Sequence, residues 1–228
     1  MDQWYSIGGF SDPMSSISHL VGLIVYFVLS LFMLASAWRS RVRFWFSFVF
    51  CLAAVLMLTM SSVFHMFAPG TTARAVMLRL DVAAIFLLIA GTFTPVHGIL
   101  FKGWKRSGIL SLLWGIAVTG ITLRTIFFES IPSVVGIGIF LAMGWIGAWS
   151  AWLLFQDYGW PTVKPVVAGG VLYSIGAIIN AVNAPVIIPM VWGPHETFHL
   201  FVLAGLGAHW SLIAKLADGS IRPRWMQD

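Results

Sequence analysis

The stretch HETFHLFVLAGLGAHWSLIAKL, residues 195–216, combines a metal-binding pattern with enough apolar sequence to cross a membrane. Its first five residues match H-E-x-x-H, the helix pattern of zinc proteases, in which two histidines bind the metal and the glutamate is the general base. A helix needs about 20 mostly apolar residues to cross a bilayer. The stretch therefore predicts a transmembrane helix that carries two candidate zinc ligands, His195 and His199, near its start.

The composition of the chain indicates a membrane-embedded protein. Of its 228 residues, 59% are hydrophobic and 9% are charged, whereas a soluble domain carries about 25% charged residues. The basic residues stand in short groups between apolar runs, which is typical of membrane topology rather than of nucleic-acid binding. The single cysteine, Cys51, excludes an internal disulfide and a cysteine-based zinc site. The first residues lack a basic start, so we expect no cleaved signal peptide.

Seven apolar segments follow one another along the chain, separated by short breaks that contain charges, proline or glycine. They predict an all-α membrane protein, a seven-transmembrane-helix bundle that forms one domain over residues 1–228. Because the connections are short, neighbouring helices are expected to be antiparallel. The predicted spans are residues 17–37, 44–67, 80–100, 107–127, 134–155, 165–189 and 195–216.

The basic residues between the spans predict how the bundle sits in the membrane. We call the side of the N-terminus side A and the side of the C-terminus side B. Loops rich in lysine and arginine stay in the cytoplasm, so the excess on side B predicts an inner-membrane protein with its N-terminus outside and its C-terminus cytoplasmic. Side A holds Arg74, Arg79 and Arg124, and side B holds Arg39, Arg41, Arg43, Lys102, Lys105, Arg106, Lys164, Lys215, Arg222 and Arg224.

Several ionisable residues lie inside the apolar spans, where they are costly and mark candidate functional sites. The second span ends at side A with His65, and the third and seventh spans begin there with Asp81 and with the pair His195 and His199. Separate segments thus bring three histidines and an acid to one level of the bilayer. Three histidine ligands with a fourth position open to water are the pattern of catalytic zinc. We therefore predict His65, His195 and His199 as zinc ligands.

Two more polar residues are predicted to serve catalysis at this level. Ser61 lies one helical turn before His65 and shares its face. Asp81 can hydrogen-bond the zinc-bound water or orient a ligand. In a hydrolytic reaction Asp81 would accept the proton of that water, and Ser61 or the zinc ion would stabilise the oxyanion.

The other ionisable residues leave alternatives open. Glu196 is either a general base or a cap of the first helical turn, where a negative charge is favourable. No aspartate lies in a later span to complete an intramembrane protease site, which disfavours a protease. His209 is predicted to hydrogen-bond between helices and His97 to flank a loop on side B. His19 is either structural or a support of the zinc site.

Together these residues resemble the PAQR family (progestin and adipoQ receptors), in its bacterial haemolysin III branch, and the related alkaline ceramidases. The resemblance implies a seven-helix bundle with zinc on His65, His195 and His199, supported by Ser61 and Asp81. Adiponectin receptors share this core but have a cytoplasmic N-terminus, whereas the charge count predicts the reverse, as in the ceramidases. The matching stretches are SSVFH at 61–65, Asp81, AGTFTP at 90–95, GGVLYSIG at 169–176 and HETFHLFVLAG at 195–205.

The leading interpretation is an integral membrane zinc-binding protein that hydrolyses a lipid amide or ester, as the resemblance to ceramidases implies. Its expected partner is a membrane lipid or fatty acid in the bundle, with no nucleic acid, and the sequence does not predict an oligomeric state. The alternative is a non-enzymatic sensor or receptor-like protein of membrane-lipid homeostasis, with structural zinc. A pore former is the least supported class, because the apolar spans offer no ring of charges.

Overall fold

The computed structural model describes residues 9–130 and 133–226 and is all-helical, apart from turns and loops. Short connections link the successive long helices, as the sequence predicted. The helices are α1 (Pro13–Ala37), α2 (Arg41–Phe64), α3 (Thr72–Leu100), α4 (Trp104–Thr125), α5 (Ser133–Tyr158), α6 (Trp160–Val182) and α7 (Pro194–Asp218), and a short 3-10 helix covers Arg224–Met226.

Six of the helices in the described part of the chain are long and apolar enough to cross a membrane, namely α1, α2, α3, α4, α6 and α7. This confirms the prediction of an all-helical, multi-pass membrane protein. Six of the seven predicted spans therefore correspond to helices that are long and apolar enough to cross a membrane.

The helix α3 begins earlier than the predicted residue 80. Its N-cap is Thr71, whose side chain accepts a hydrogen bond from the backbone N–H of Arg74. A threonine cap stabilises the start of a helix by satisfying one of its unpaired N–H groups. The segment that carries Arg74 and Arg79 was therefore wrongly predicted as a loop, because a helix can continue past the apolar part of a span.

The helix α6 ends at Val182 rather than at the predicted residue 189. The next residue, Asn183, adopts a left-handed backbone conformation with φ of 53°. Asparagine tolerates this conformation better than most residues and can end a helix. The loop that follows is apolar and contains a β-bridge between Ile188 and Trp192. The predicted span continued to residue 189 because the prediction followed apolar sequence, which this loop shares with the helix.

The long helices form a closed arrangement in which each packs against its neighbours in the chain and α1 packs against α7. The helices α2 and α3 also contact α7. Small residues allow close approach: a Cβ atom on Gly91 of α3 would collide with Ala53 of α2. The end of α2 and the starts of α1 and α7 thus lie together on side A.

Candidate metal site

Three histidine side chains form a cluster on side A. Ring nitrogens of His65, His195 and His199 all lie within 4.8 Å of one another. His65 directly follows α2, and the other two stand one turn apart at the start of α7. His65 and His199 are buried and His195 is half-buried. The structure therefore brings together the three histidines that the sequence predicted to meet, and the cluster could bind a metal ion.

Asp12 holds the ring of His65. Its Oδ2 atom accepts a hydrogen bond from Nδ1 of His65 at 2.9 Å, and the guanidinium of Arg74 lies 2.5 Å from the same oxygen. Burial raises the pKa of the Asp12 carboxyl, but hydrogen bonds from His65 and Arg74 and the charge of Arg74 outweigh it and hold the pKa below its ordinary value. Asp12 is therefore ionised at neutral pH, and it keeps the hydrogen of His65 on Nδ1.

The other two rings are anchored in the same way. Nδ1 of His195 lies 3.1 Å from Oδ1 of Asn180 in α6, and Nδ1 of His199 lies 3.2 Å from the carbonyl oxygen of Ser15 in α1. A carbonyl oxygen can only accept a hydrogen bond, so each Nδ1 carries the hydrogen. In its neutral form, each ring then has its lone pair on Nε2.

The free lone pairs are directed at each other. Nε2 of His65 and Nε2 of His195 lie 3.2 Å apart. Metal-bound imidazoles are neutral and donate their other N–H to an oxygen acceptor, which is the arrangement of all three rings. Three imidazoles without a thiolate fit zinc with an open coordination position. The donor set therefore fits the metal that the sequence predicted.

Ser61 and Asp81 border the cluster. Ser61 is buried in the last turn of α2, and its Oγ lies 2.7 Å from Nδ1 of His19. Asp81, in α3, is half-buried beside the Ser61 hydroxyl and near His65. The structure places both residues at the level where they were expected, and their catalytic roles stay predictions.

Glu196 holds the start of α7 rather than facing water. Its Oε2 accepts a hydrogen bond from the backbone N–H of Gly193 at 2.8 Å, and its Oε1 accepts one from the Ser15 hydroxyl at 2.7 Å. The side chain is buried. The capping interpretation is confirmed, and both oxygens are engaged in structural bonds, unlike those of the general base in a soluble H-E-x-x-H protease.

The remaining histidines differ in their relation to the cluster. His19 stacks on His199 with ring centroids 3.8 Å apart and an interplanar angle of 10°, so it belongs to the site. His97 flanks the loop after α3, as predicted, but it is fully buried. The ring of His209 stacks on the ring of Tyr173 in α6, with ring centroids 5.5 Å apart, and has no hydrogen bond among the described residues. The predicted helix–helix hydrogen bond of His209 is therefore wrong, because ring packing fills its place.

Sequence reasoning missed two residues that anchor the histidines, Asp12 and Asn180. Asp12 lies just before α1, 53 positions from the ring that it holds. Its signal in the sequence is an aspartate followed by proline at the start of the first helix, which reads as an ordinary helix start. Asn180 was placed inside an apolar span, where a polar amide is itself a sign of a specific contact.

The chain is similar in sequence to bacterial hemolysin-3 proteins and to a plant heptahelical protein. Hemolysin-3 from Bacillus cereus is 32% identical over 130 residues, 55% of this chain and 54% of that protein. A Hemolysin-3 homolog from Bacillus subtilis (strain 168) is 29% identical over 160 residues, 70% of this chain and 71% of that protein. Heptahelical transmembrane protein 4 from Arabidopsis thaliana is 28% identical over 186 residues, 73% of this chain and 47% of that protein.

The chain thus spans about half the length of the Bacillus cereus relative. The family model described as Haemolysin-III related matches residues 10–210, which include every residue of the histidine cluster and its anchors. This chain belongs to the haemolysin-III-related family.

Proposed function

We propose that this chain is an integral membrane protein that binds one zinc ion through His65, His195 and His199. The observation that carries the proposal is the 3.2 Å separation of Nε2 of His65 and Nε2 of His195. Because both rings carry their hydrogen on Nδ1, two lone pairs face each other and repel unless a cation binds them. The anchoring of all three rings at Nδ1 supports the same conclusion.

We take α5 as the seventh span of a single-domain bundle. Its 26 residues extend about 39 Å at 1.5 Å per residue, more than the roughly 30 Å of the hydrocarbon core. Seven spans put the two termini on opposite sides of the inner membrane, with the basic side B in the cytoplasm and the metal site toward the outside. A C-terminal alkaline phosphatase fusion tests this topology: it should be inactive, and an active fusion would reverse the orientation.

The reaction that the site supports best is hydrolysis of an amide or ester bond in a membrane lipid. A zinc ion held by the three histidines would supply a water of lowered pKa and would polarise a carbonyl. Asp81 can take a proton from the reacting water and pass it to the amine or alcohol that leaves when the amide or ester bond breaks, and the Ser61 hydroxyl can donate a hydrogen bond to the carbonyl oxygen as charge develops on it. The cluster lies where α2 ends and α7 begins, a depth that suits bonds next to lipid headgroups.

The experiment is a lipid-hydrolysis screen on purified protein, with zinc content measured on the same samples. Wild-type protein should release fatty acid from at least one member of a ceramide and phospholipid panel. Asp81→Asn should lower the rate about 10²- to 10⁴-fold and keep its zinc, because asparagine keeps the size of the side chain but cannot take the proton.

Two outcomes would contradict this assignment. If Asp81→Asn loses zinc as completely as His195→Ala, Asp81 is a ligand and the set of three histidines is wrong. If wild-type protein releases fatty acid from no lipid in the panel, the hydrolase proposal fails and the sensor with structural zinc replaces it.

A further inference from the structure

We propose that His19 is a positioning residue of this site, which turns the hydroxyl hydrogen of Ser61 away from its own ring, toward Asp81 in the free protein and toward the reacting carbonyl when a lipid is bound. The inference deepens the proposed function and rests on it for the role of Ser61. It concerns a side chain that is neither a member of the predicted zinc ligand set nor one of the predicted catalytic residues.

The position of His19 is fixed by contacts to two other helices. The side chain belongs to α1 and is buried, with an exposed fraction of 2%. Its Nδ1 atom lies 2.7 Å from Oγ of Ser61 in α2, and its ring lies flat on His199 of α7 with centroids 3.8 Å apart. The ring is thus held from two directions and has little freedom to turn.

The second ring nitrogen of His19 shows which nitrogen carries the hydrogen. Nε2 of His19 is buried and has no hydrogen-bond partner within the described part of the chain. A buried N–H without an acceptor is rarer in proteins than an unused acceptor. We therefore assign the hydrogen to Nδ1, so that His19 donates to the Ser61 oxygen rather than accepting from it.

This hydrogen bond determines what Ser61 can do. With one lone pair of Oγ occupied by His19, the hydroxyl hydrogen must point elsewhere, and the Asp81 carboxylate is beside it. Its two nearest hydroxyl neighbours in α2 donate to carbonyls of their own helix, Thr59 to Val55 and Ser62 to Thr59. Ser61 makes no such bond among the described residues, so its hydrogen stays available to the site. If His19 were the acceptor, Ser61 could not donate to a developing oxyanion.

Two variants separate the hydrogen bond from the ring stacking. His19→Asn keeps an N–H donor close to the position of Nδ1 but loses the stack on His199. His19→Phe keeps a flat ring on His199 but loses the donor. We expect His19→Phe to lower kcat by about 10²- to 10³-fold, the effect of losing one oxyanion donor, with KM unchanged and His19→Asn retaining most of the rate. Zinc content should match wild type in both. The reverse order of rates would show that stacking alone matters and would overturn the proposal.

A double variant tests whether His19 acts through Ser61. Ser61→Ala should remove the effect of His19, so that Ser61→Ala combined with His19→Phe is no slower than Ser61→Ala alone. If the rate reduction in the double variant is the product of the two single reductions, the proposal is overturned, because His19 would then act independently of Ser61.

A spectroscopic measurement decides the inference without a substrate. In zinc-loaded protein labelled with ¹⁵N-histidine, the signals that disappear in His19→Phe should be those of the Nδ1–H tautomer. An Nε2–H tautomer would overturn the proposal even in an active enzyme. An inactive protein with the Nδ1–H tautomer would instead contradict only the hydrolase function.

Discussion

Both ends of the bundle contain buried histidines, but their hydrogen bonding differs. On side B, Nδ1 of His97 lies 2.6 Å from the carbonyl oxygen of Lys105, and its Nε2 lies 2.5 Å from the hydroxyl of Ser150. Both nitrogens of that ring are satisfied by the protein. On side A, the described residues provide acceptors for the three clustered histidines at Nδ1 alone, and Nε2 of His65 and Nε2 of His195 lie 3.2 Å apart. The hydrogen bonds of a buried histidine, rather than its burial, therefore distinguish a structural ring from a candidate metal ligand.

The largest expected effect separates these two kinds of histidine. His195→Ala should abolish zinc binding, because it removes one of three ligands. His97→Ala removes a ring of the same size from the other end of the bundle and should leave zinc at about one per chain. Elemental analysis of both purified variants makes the comparison. Equal zinc in the two variants would mean that the side A cluster is not the metal site.

The carboxylates of the two ends give the next largest difference. Asp12→Asn should weaken zinc binding about 10- to 100-fold, because the carboxylate that accepts the Nδ1–H of His65 orients the ring and makes its other nitrogen a stronger metal ligand. The matched control is Asp157→Asn on side B, where the carboxylate pairs with Lys105 at 2.6 Å and both side chains are more than a third exposed. Competition with a chelator measures the affinities. Equal affinity of Asp12→Asn and wild type would remove Asp12 from the site.

His97 on side B should contribute to the stability of the fold rather than to zinc binding. Ser150→Ala leaves Nε2 of His97 buried without its partner, which should lower the free energy of unfolding by about 1–3 kcal/mol. Zinc content should not change. The control is Ser211→Ala, an exposed hydroxyl bonded to the carbonyl of Ala208 in its own helix, which should change stability little. Thermal unfolding in detergent compares them, and a loss of zinc in Ser150→Ala would contradict the separation of the two ends.

The smallest effect concerns Glu196. Glu196→Gln keeps a side-chain oxygen for the backbone N–H of Gly193, and its amide N–H can donate to the Ser15 hydroxyl that donates to Oε1 in the wild type. The change then chiefly removes a negative charge from the helix start, which should cost about 0.3–1 kcal/mol of stability. Zinc content and any hydrolysis rate should stay close to wild type. A rate loss of about 10²-fold or more would show that Glu196 is a general base after all.

The sequence predicted the helices and the meeting of His65 with the α7 histidines because both depend on simple regularities. Apolar length identifies spans, and alternating helix direction places the end of α2 and the start of α7 on one side. Helix ends were less predictable. Thr71 and Asn183 mark the true boundaries of α3 and α6, but their effect depends on backbone conformations that hydropathy does not report.

The supporting residues of the site could not be derived in the same way. The contact of Asp12 with His65 depends on how the chain enters α1, and that of Asn180 with His195 depends on the rotation of α6 about its axis. The spacing within one helix fixes neither of these. The role of His19 could not be decided for the same reason. The sequence placed it near side A of the membrane but did not show that it contacts Ser61 in α2 and His199 in α7.

X-ray absorption at the zinc edge of purified wild-type protein shows whether His65, His195 and His199 bind zinc. We expect about one zinc ion per chain with about three imidazole nitrogens at about 2.0–2.1 Å and no sulfur neighbour. A protein that retains no zinc under zinc-replete conditions, or a zinc ion with fewer than three imidazoles in its coordination sphere, would contradict this expectation.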